Sequence, residues 1–182
     1  GLGVAAVTGH GAFGVPSTAT RWSRTAAVET SGIFITPVDS VDFVAGTVYT
    51  FSVLVRPISG HTLVQLNGTS MAFGSGDRFV NFDLSGEGSV GRTMNGTGRI
   101  ERTVRGFYRI SATFTAAQTG TGPALVITLI PSIDSSWRAP FTTSQIVVDV
   151  DCAQVEAAPF ASSFILTNGA AATRSGEVCY LQ

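Results

Sequence analysis

The amino-acid sequence predicts an all-β fold, a two-sheet antiparallel β-sandwich of the jelly-roll type with about ten strands. Three observations lead to this prediction. Apolar and polar residues alternate in short runs, which is the pattern of a half-buried strand, whereas helical periodicity is hard to find. Glycine and proline, with 21 and 7 residues, punctuate these runs. Twelve phenylalanines and many valines and isoleucines supply a core.

The strands are placed by this alternation and by the turn signals between them. The clearest is residues 47–57, TVYTFSVLVRP, and a second long run at 107–115 alternates in the same way. In chain order, the predicted strands are residues 18–25, 32–36, 47–57, 62–66, 78–84, 99–105, 107–115, 124–130, 145–155 and 163–167. The apolar residues expected on one face of the two long strands are Tyr49, Phe51, Val53 and Val55, and Tyr108, Ile110, Ala112 and Phe114.

Two of these strands carry a prediction about their place in a sheet. Residues 99–105 contain several charged side chains and are therefore expected at an edge or facing solvent. Residues 124–130 are almost entirely apolar and are therefore expected to form a central, buried strand.

The 182 residues are enough for one domain with a sizeable core. Residues 16–182 are predicted to form a single jelly-roll domain. Residues 1–15 are apolar and glycine-rich, and they are predicted to form an arm that contacts a neighbour. This start lacks the basic region of a signal peptide and an initiator Met, so a processed product or an excised piece is expected. No stretch reaches the ~18 uninterrupted apolar residues of a membrane span.

Charge is sparse in this sequence. The formal net charge is −1 and 13% of the residues are charged, so no bulk attraction to nucleic acid or to an anionic membrane is expected. All 11 basic residues are arginine, which excludes lysine Schiff-base chemistry and a lysine-centred phosphate loop. Such a surface suits a protein that packs against copies of itself or other subunits. A weakly charged sandwich without these contacts is the alternative.

The cysteines and histidines give no strong site. Cys152 and Cys179 allow one disulfide but no disulfide framework, so a disulfide and two largely buried free thiols both stay open. His10 and His61 have no cysteine or carboxylate at metal-ligand spacing, so no zinc site is predicted.

Four aspartates have several interpretations. Asp149 and Asp151 lie two residues apart on one strand face, at the lower end of the ~5–10 Å separation that glycoside hydrolysis needs. Asp39 and Asp42 lie in a loop, where carboxylates and carbonyl oxygens suit a structural calcium ion. Solvated carboxylates at a sheet edge are the third interpretation. Apart from that calcium ion, no cofactor is predicted, and the ligands of any metal stay unassigned.

The loop around SIDSSWRAPF, residues 132–141, is the main candidate for ligand binding. A sugar ring stacks its apolar face on tryptophan, while arginine and aspartate hydrogen-bond its hydroxyl groups. This loop holds Trp137, Arg138 and Asp134, at a place where the core makes few demands. Alternatively, Trp137 plugs the end of the sandwich or packs on a neighbouring subunit. Trp22 alternates with polar neighbours and is expected in the core.

The residues from Gln145 onward are predicted to close the sandwich. Gln154 and Glu156 are expected to hydrogen-bond exposed backbone at the end of the sheets. Beyond Pro159, which ends strand pairing, the side chains of Phe160, Phe164 and Ile165 are expected to return to the core as a final strand. The side chains expected on one buried face of the preceding strand are Ile146, Val148, Val150 and Cys152.

Four motifs resemble a jelly-roll module that recurs in bacteriophage virion proteins. They are GFYR at 106–109, AQVE at 153–156, FASSFILT at 160–167 and the strand at 47–57. The family usually has tryptophan where Phe107 stands. The resemblance extends over most of the chain, and it implies a fold similar to carbohydrate-binding modules and lectin-like sandwiches.

The function implied by this resemblance is a non-enzymatic module on the virion surface, in a tail fibre, spike or head. It is expected to be made in the bacterial cytoplasm and to bind a bacterial surface polysaccharide or other virion subunits, as a homo-oligomer for which the family suggests a trimer. Two alternatives are a capsid decoration or head-fibre protein without a glycan ligand, and the sugar-binding part of a polysaccharide depolymerase.

Overall fold

A computed structural model of the chain describes residues 2–8, 11–12, 18–24, 41–68, 71–74, 78–122, 126–140 and 146–164. These residues are almost entirely in strands and loops, with short 3₁₀ turns at Met71–Phe73 and Val104–Gly106. Every strand pair among them is antiparallel. The predicted all-β sandwich is confirmed. In this part of the chain, no helix has the length and hydrophobicity that a membrane span needs.

The strands are numbered in chain order. They are β1 (Leu2–Thr8), β2 (Thr18–Arg24), β3 (Val41–Phe43), β4 (Val48–Ser59), β5 (Leu63–Asn67), β6 (Phe79–Asp83), β7 (Ser89–Met94), β8 (Thr97–Arg102), β9 (Tyr108–Thr115), β10 (Gly120–Gly122), β11 (Val126–Leu129) and β12 (Ile146–Glu156). The predicted strand at 32–36 lies outside the described residues.

Two sheets form the layers of the sandwich. Among the described residues, the larger sheet has six strands in the order β1-β2-β12-β4-β9-β8, and the smaller has four in the order β11-β5-β6-β7. Strands β3 and β10 form a separate two-stranded ribbon. The last of the described strands, β12, lies between β2 and β4, which come from the first third of the chain. This interleaving of early and late strands is characteristic of a jelly roll.

The main core lies between the two sheets and is rich in aromatic rings. The faces predicted for the two long strands, β4 and β9, are confirmed, because all eight of those side chains are buried in this core. At one end of the sandwich, five rings pack with centroids 4.9 to 6.5 Å apart, mostly edge to face, which is a favourable geometry. They belong to Phe43, Tyr49, Phe51, Phe73 and Phe114.

Two predictions concerned the position of a strand within its sheet, namely those for residues 99–105 and 124–130. Among the described strands, the charged strand β8 lies at an edge of the larger sheet, as predicted. Within the described residues, β11 is the outermost strand of the smaller sheet and not a central one. All four of its residues are buried. Its apolar sequence therefore reflects burial of both faces, which does not depend on position within the sheet.

Four strands were not expected from the sequence. Strands β3 and β10 have three residues each, too few to show alternation, and β7 is mostly polar. Strand β1 comes from the predicted N-terminal arm, residues 1–15. It pairs with β2 along its whole length, from Leu2 opposite Arg24 to Thr8 opposite Thr18, so residues 2–8 belong to the larger sheet of their own chain.

A β-bulge in β12 changes the face on which Cys152 lies. The register with β4 shifts between Asp151 and Gln154, and Cys152 within this bulge has φ of 51°. Because one extra residue inverts the alternation, Ala153 takes the inner face and Cys152 the outer one, contrary to the prediction. Cys152 packs there against a small second cluster of Ala12, Ala19, Leu54 and Phe107.

The segment after β12, residues 157–164, lies against the larger sheet and is tied to it by polar contacts. The Glu156 carboxylate accepts hydrogen bonds from the Ser162 N–H at 3.0 Å and from its hydroxyl group. The Arg109 guanidinium donates to the Ser162 carbonyl, and the Thr50 hydroxyl donates to the Ala158 carbonyl at 2.7 Å. Glu156 therefore fixes the backbone that follows β12, as predicted. The Gln154 side chain donates a hydrogen bond to the side-chain hydroxyl of Ser162 at 3.5 Å.

The predicted final strand at 163–167 is not formed by its described residues, and Phe160 does not enter the core. The Phe160 side chain is 65% exposed, whereas Phe164 is half-buried. Ile165 lies outside the described residues. The physical reason is that the contacts of Ser162 hold this segment on the outer face of the larger sheet, so Phe160 has no access to the space between the sheets.

A buried ion cluster joins β12 to both of its neighbours. Asp149 on β12 is completely buried. Its carboxylate accepts hydrogen bonds from Arg21 on β2, at 2.7 and 3.0 Å, and from Arg56 on β4, at 2.6 Å. Burial by itself would raise the pKa of Asp149, but the hydrogen bonds from the two guanidinium groups outweigh it and hold that pKa below the usual range. Asp149 is therefore not a solvated carboxylate at a sheet edge.

We expect Asp149→Asn to lower the free energy of unfolding by about 3–5 kcal/mol, because it leaves two guanidinium groups without their buried counter-charge. Urea unfolding followed by circular dichroism measures the loss. The matched control is Glu87→Gln, which removes an exposed ion pair with Arg102. Such pairs contribute less than about 1 kcal/mol, so equal losses in the two variants would contradict a central role for Asp149.

The lowered pKa of Asp149 predicts acid sensitivity. In the unfolded chain, Asp149 takes up a proton near pH ~3.9, whereas in the folded protein it stays ionised to lower pH. Its contribution is therefore complete above that pH and is lost as the pH falls toward the folded-state pKa. The urea concentration at the midpoint of unfolding is measured at pH values from about 6 down to about 2. It should fall more steeply with decreasing pH for the natural protein than for Asp149→Asn. Parallel curves would refute the linkage.

Candidate functional site

The candidate binding loop was predicted at 132–141. The structure describes it over residues 131–140, on the outer face of the smaller sheet. Two amide side chains on adjacent strands hold it there. Asn81 on β6 donates hydrogen bonds from Nδ2 to the carbonyl oxygens of Ile133 and Ser135, both at 2.8 Å. Gln65 on β5 donates to the Ser136 carbonyl at 3.1 Å and accepts from the Arg138 N–H at 2.9 Å.

The two amides also support each other. Gln65 and Asn81 are opposite one another in the β5–β6 register, and the Gln65 Nε2 donates to the Asn81 Oδ1 at 2.7 Å. Both side chains are completely buried. Since a buried amide without partners is costly, the loop backbone and the sheet amides satisfy each other, and the loop is fixed from below.

Strand β7 holds the other side of the loop. The Arg92 N–H donates to the Ile133 carbonyl at 3.2 Å, and the Arg92 side chain donates to the Asp134 carbonyl at 3.4 Å. Gly91 permits this approach, because a Cβ there would lie 2.3 Å from Ile133 Cγ1 and 2.6 Å from its carbonyl oxygen. The loop therefore depends on a glycine as well as on the two amides.

The structure brings two of the three predicted site residues into direct contact. The Arg138 guanidinium carbon lies 4.6 Å from the centroid of the Trp137 ring, in cation–π geometry. Trp137 remains 40% exposed. Asp134 is exposed in the same loop, and its backbone N–H donates a hydrogen bond to the Ser132 hydroxyl oxygen at 3.2 Å. Arg138 has φ of 46°, and partial burial lowers the pKa of its guanidinium.

This arrangement is a preorganised aromatic surface beside a guanidinium group. The alternative in which Trp137 plugs the end of the sandwich is not favoured, since a buried plug would not leave two fifths of its side chain exposed. An indole held on a fixed loop stacks on a ligand without first losing conformational freedom. Arg138 supplies a planar donor for hydroxyl or carboxylate groups next to the ring.

The other predicted acidic sites have structural partners. Asp151 Oδ2 accepts a hydrogen bond from the Ala12 N–H at 2.9 Å, and its Oδ1 accepts one from the Cys152 N–H. With Asp149 in its ion cluster, both carboxylates of the pair are thus engaged within the protein. Asp42 accepts a hydrogen bond from the Thr121 hydroxyl at 2.5 Å, while Asp39 lies outside the described residues. In the described ranges, no group of three or more His, Cys, Asp or Glu side chains is arranged to hold a metal ion.

His61, Trp22 and Cys152 lie outside the binding loop. His61 shares a hydrogen bond of 2.7 Å with the Ile130 carbonyl, just before the binding loop. Trp22 is half-buried and packs against the main core, as predicted. Cys152 is a free, half-buried thiol whose pKa is raised by burial and by Asp151. His10 and Cys179 lie outside the described residues.

A cavity of about 240 Å³ lies on the opposite side of the molecule, on the outer face of the larger sheet. Its lining includes Leu54, Glu101, Arg109, Cys152 and Phe164. The Arg109 guanidinium there is already bonded to Ser52 and Ser162. The cavity is thus partly closed by the segment that follows β12, and it presents no exposed aromatic ring comparable with Trp137.

Sequence reasoning missed the residues that position the loop, namely Gln65, Asn81, Gly91 and Arg92. A signal was present for the two amides, because each stands in a strand where its neighbours on both sides are apolar. A polar side chain at such a position must be either solvated or paired with something that covers the sheet.

Comparison with known proteins adds no assignment. The chain matches no model of a protein family, and a search of curated proteins finds no similar sequence.

We expect Gly91→Ala to displace the loop without unfolding the sandwich, because the added methyl group overlaps Ile133. Overpacking of this kind costs about 1–3 kcal/mol. In a Trp22→Phe background, acrylamide should quench the fluorescence of Trp137 more strongly after the substitution. Gly120→Ala is the control, since a Cβ at Gly120 has no atom within 4 Å. Unchanged quenching in Gly91→Ala would show that the loop does not depend on this close approach.

Proposed function

We propose that this protein is a non-enzymatic module of a bacteriophage virion surface that attaches to host glycans through the loop at 131–140. The observation that carries the proposal is the exposed Trp137 ring with the Arg138 guanidinium stacked on it, on a loop that Gln65 and Asn81 fix to the sheet. The virion context rests on the sequence motifs that resemble phage jelly-roll modules.

The chemistry of the loop favours a sugar as the ligand. A pyranose ring has an apolar face of C–H groups that packs on the uncovered part of the indole, and its rim of hydroxyl groups needs donors and acceptors. The Arg138 side chain supplies donors, and the exposed Asp134 carboxylate supplies an acceptor. In this proposal, Trp137 stacks on the sugar ring, while Arg138 and Asp134 hydrogen-bond its hydroxyl groups.

Binding is favoured over cleavage by the state of the acidic pair. A glycosidase needs one carboxylate as a proton donor and a second as a nucleophile or base, both facing the substrate. Asp149 is buried between two guanidinium groups, which hold it ionised, and Asp151 accepts two backbone hydrogen bonds. These contacts support a structural role for the pair.

We expect Trp137→Ala to weaken binding to a bacterial polysaccharide about tenfold, because one aromatic stacking contact contributes about 1.5 kcal/mol. The measurement is isothermal titration with a polysaccharide selected on a glycan array. Trp137→Phe should retain part of the affinity. The control is Phe160→Ala, which removes another exposed aromatic ring, on the outer face of the larger sheet.

Two outcomes would redirect the proposal. If no polysaccharide binds the natural protein, the capsid decoration alternative takes its place. If an array polysaccharide is bound and shortened, and Asp149→Asn or Asp151→Asn stops the shortening while the variant stays folded, the depolymerase alternative is correct.

A further inference from the structure

The free edge of β8 is complementary in charge to itself. In the part of the chain that the structure describes, β8 is an outermost strand of the larger sheet, and it pairs with β9 on one side. No other strand of the described chain pairs with its second side, because β7 belongs to the smaller sheet. A free edge of this kind presents a row of backbone N–H and C=O groups that another strand can pair with.

The side chains of β8 alternate cleanly between the two faces. Ile100 packs against the main core, whereas Arg99 and Glu101 point away from it and are 79% and 60% exposed. Within one chain their closest charged atoms are 4.0 Å apart, which is a weak contact between exposed groups. The β8–β9 register runs without a bulge, and β8 contains no proline. The edge is therefore regular along its whole length.

Natural proteins often place charges on edge strands to prevent pairing. That protection works when the facing charges repel each other, and it depends on the register. In an antiparallel pair of two β8 strands centred on Ile100, Arg99 of each copy faces Glu101 of the other, so both cross-strand contacts are attractive. Centring the pair on Arg99 or on Glu101 instead places like charges opposite each other. A shift by one residue matches an inner face with an outer one.

We infer that β8 is the interface of a two-fold symmetric dimer, in which a second copy of this chain extends the six-stranded sheet across the β8 edge. The contact is isologous, which means that both copies use the same strand, as in most soluble homodimers. A two-fold contact gives a dimer, which differs from the trimer that the family resemblance implies. Two copies of the Trp137 loop in one particle would bind a repeating polysaccharide with higher avidity. The dimer itself does not depend on glycan binding.

The test is the molar mass of the full chain by multi-angle light scattering and by sedimentation equilibrium. We expect a dimer that dissociates on dilution and whose dissociation constant rises with added salt, because exposed ion pairs are screened. Arg99→Glu or Glu101→Arg alone turns both cross-strand contacts repulsive and should raise the dissociation constant about tenfold or more.

The decisive variant is the double exchange Arg99→Glu with Glu101→Arg. It restores opposite charges in the same register, so the dissociation constant should return to within about threefold of the natural value. Thr93→Glu, which adds a charge at an exposed position of β7 in the other sheet, is the matched control and should have no effect.

A monomer or a trimer of the natural chain would overturn this inference, and so would single variants that dimerise normally or a double variant that stays dissociated. Circular dichroism of each variant separates loss of the dimer from loss of the fold. Hydrogen exchange gives a second measurement. Amide groups on the free edge of β8 should exchange more slowly at protein concentrations above the dissociation constant than at concentrations below it.

Discussion

The position of β12 between β2 and β4 is secured by one buried carboxylate. Asp149 is surrounded by protein, and it is paired only when Arg21 of β2 and Arg56 of β4 lie on either side of it. A buried charge without partners is strongly unfavourable, so alternative registers of β12 carry a large penalty. The contacts join residues 128 and 93 positions apart in the sequence, which is the closure that a jelly roll needs. The ion cluster therefore contributes to the choice of topology as well as to stability.

Both sheets are covered on their outer faces by segments without regular structure, and each cover is held by polar groups. On the smaller sheet, Gln65 and Asn81 bind the backbone of the loop at 131–140. On the larger sheet, Glu156 and Arg109 bind Ser162 in the segment that follows β12. Since these polar side chains replace water with protein partners, the covering segments have defined positions. That is why Trp137 and Phe160 are exposed on surfaces that are otherwise fixed.

The two proposed surfaces of the protein are physically separate. The Trp137 loop lies on the face of the smaller sheet, whereas β8 ends the larger one. One surface presents an aromatic ring beside a guanidinium group, the arrangement for which we propose glycan binding. The other offers backbone hydrogen bonds and alternating charges to an identical strand. If both proposals hold, each dimer presents two copies of the glycan site and gains affinity for a repeating polysaccharide from their number.

The sequence by itself determined the fold class, the inward faces of β4 and β9, the edge position of β8 and the loop that holds Trp137, Arg138 and Asp134. These features follow from local patterns, namely the period-two alternation of strands and the polar composition of loops and edges. The same patterns did not reveal β3, β7 or β10, because three-residue and mostly polar strands show no clear alternation.

Only the tertiary structure determined the partners of Asp149, the sheet face of Cys152 and the exposure of Phe160. Asp149 acquired two partners that are distant in the sequence, a bulge moved Cys152 to the outer face, and contacts of Ser162 kept Phe160 in solvent. In the same way, the pairing of Gln65 and Asn81 with the loop depends on which segment covers the smaller sheet. Each of these outcomes is set by contacts between distant parts of the chain, and the residue type and spacing at a single position do not contain that information.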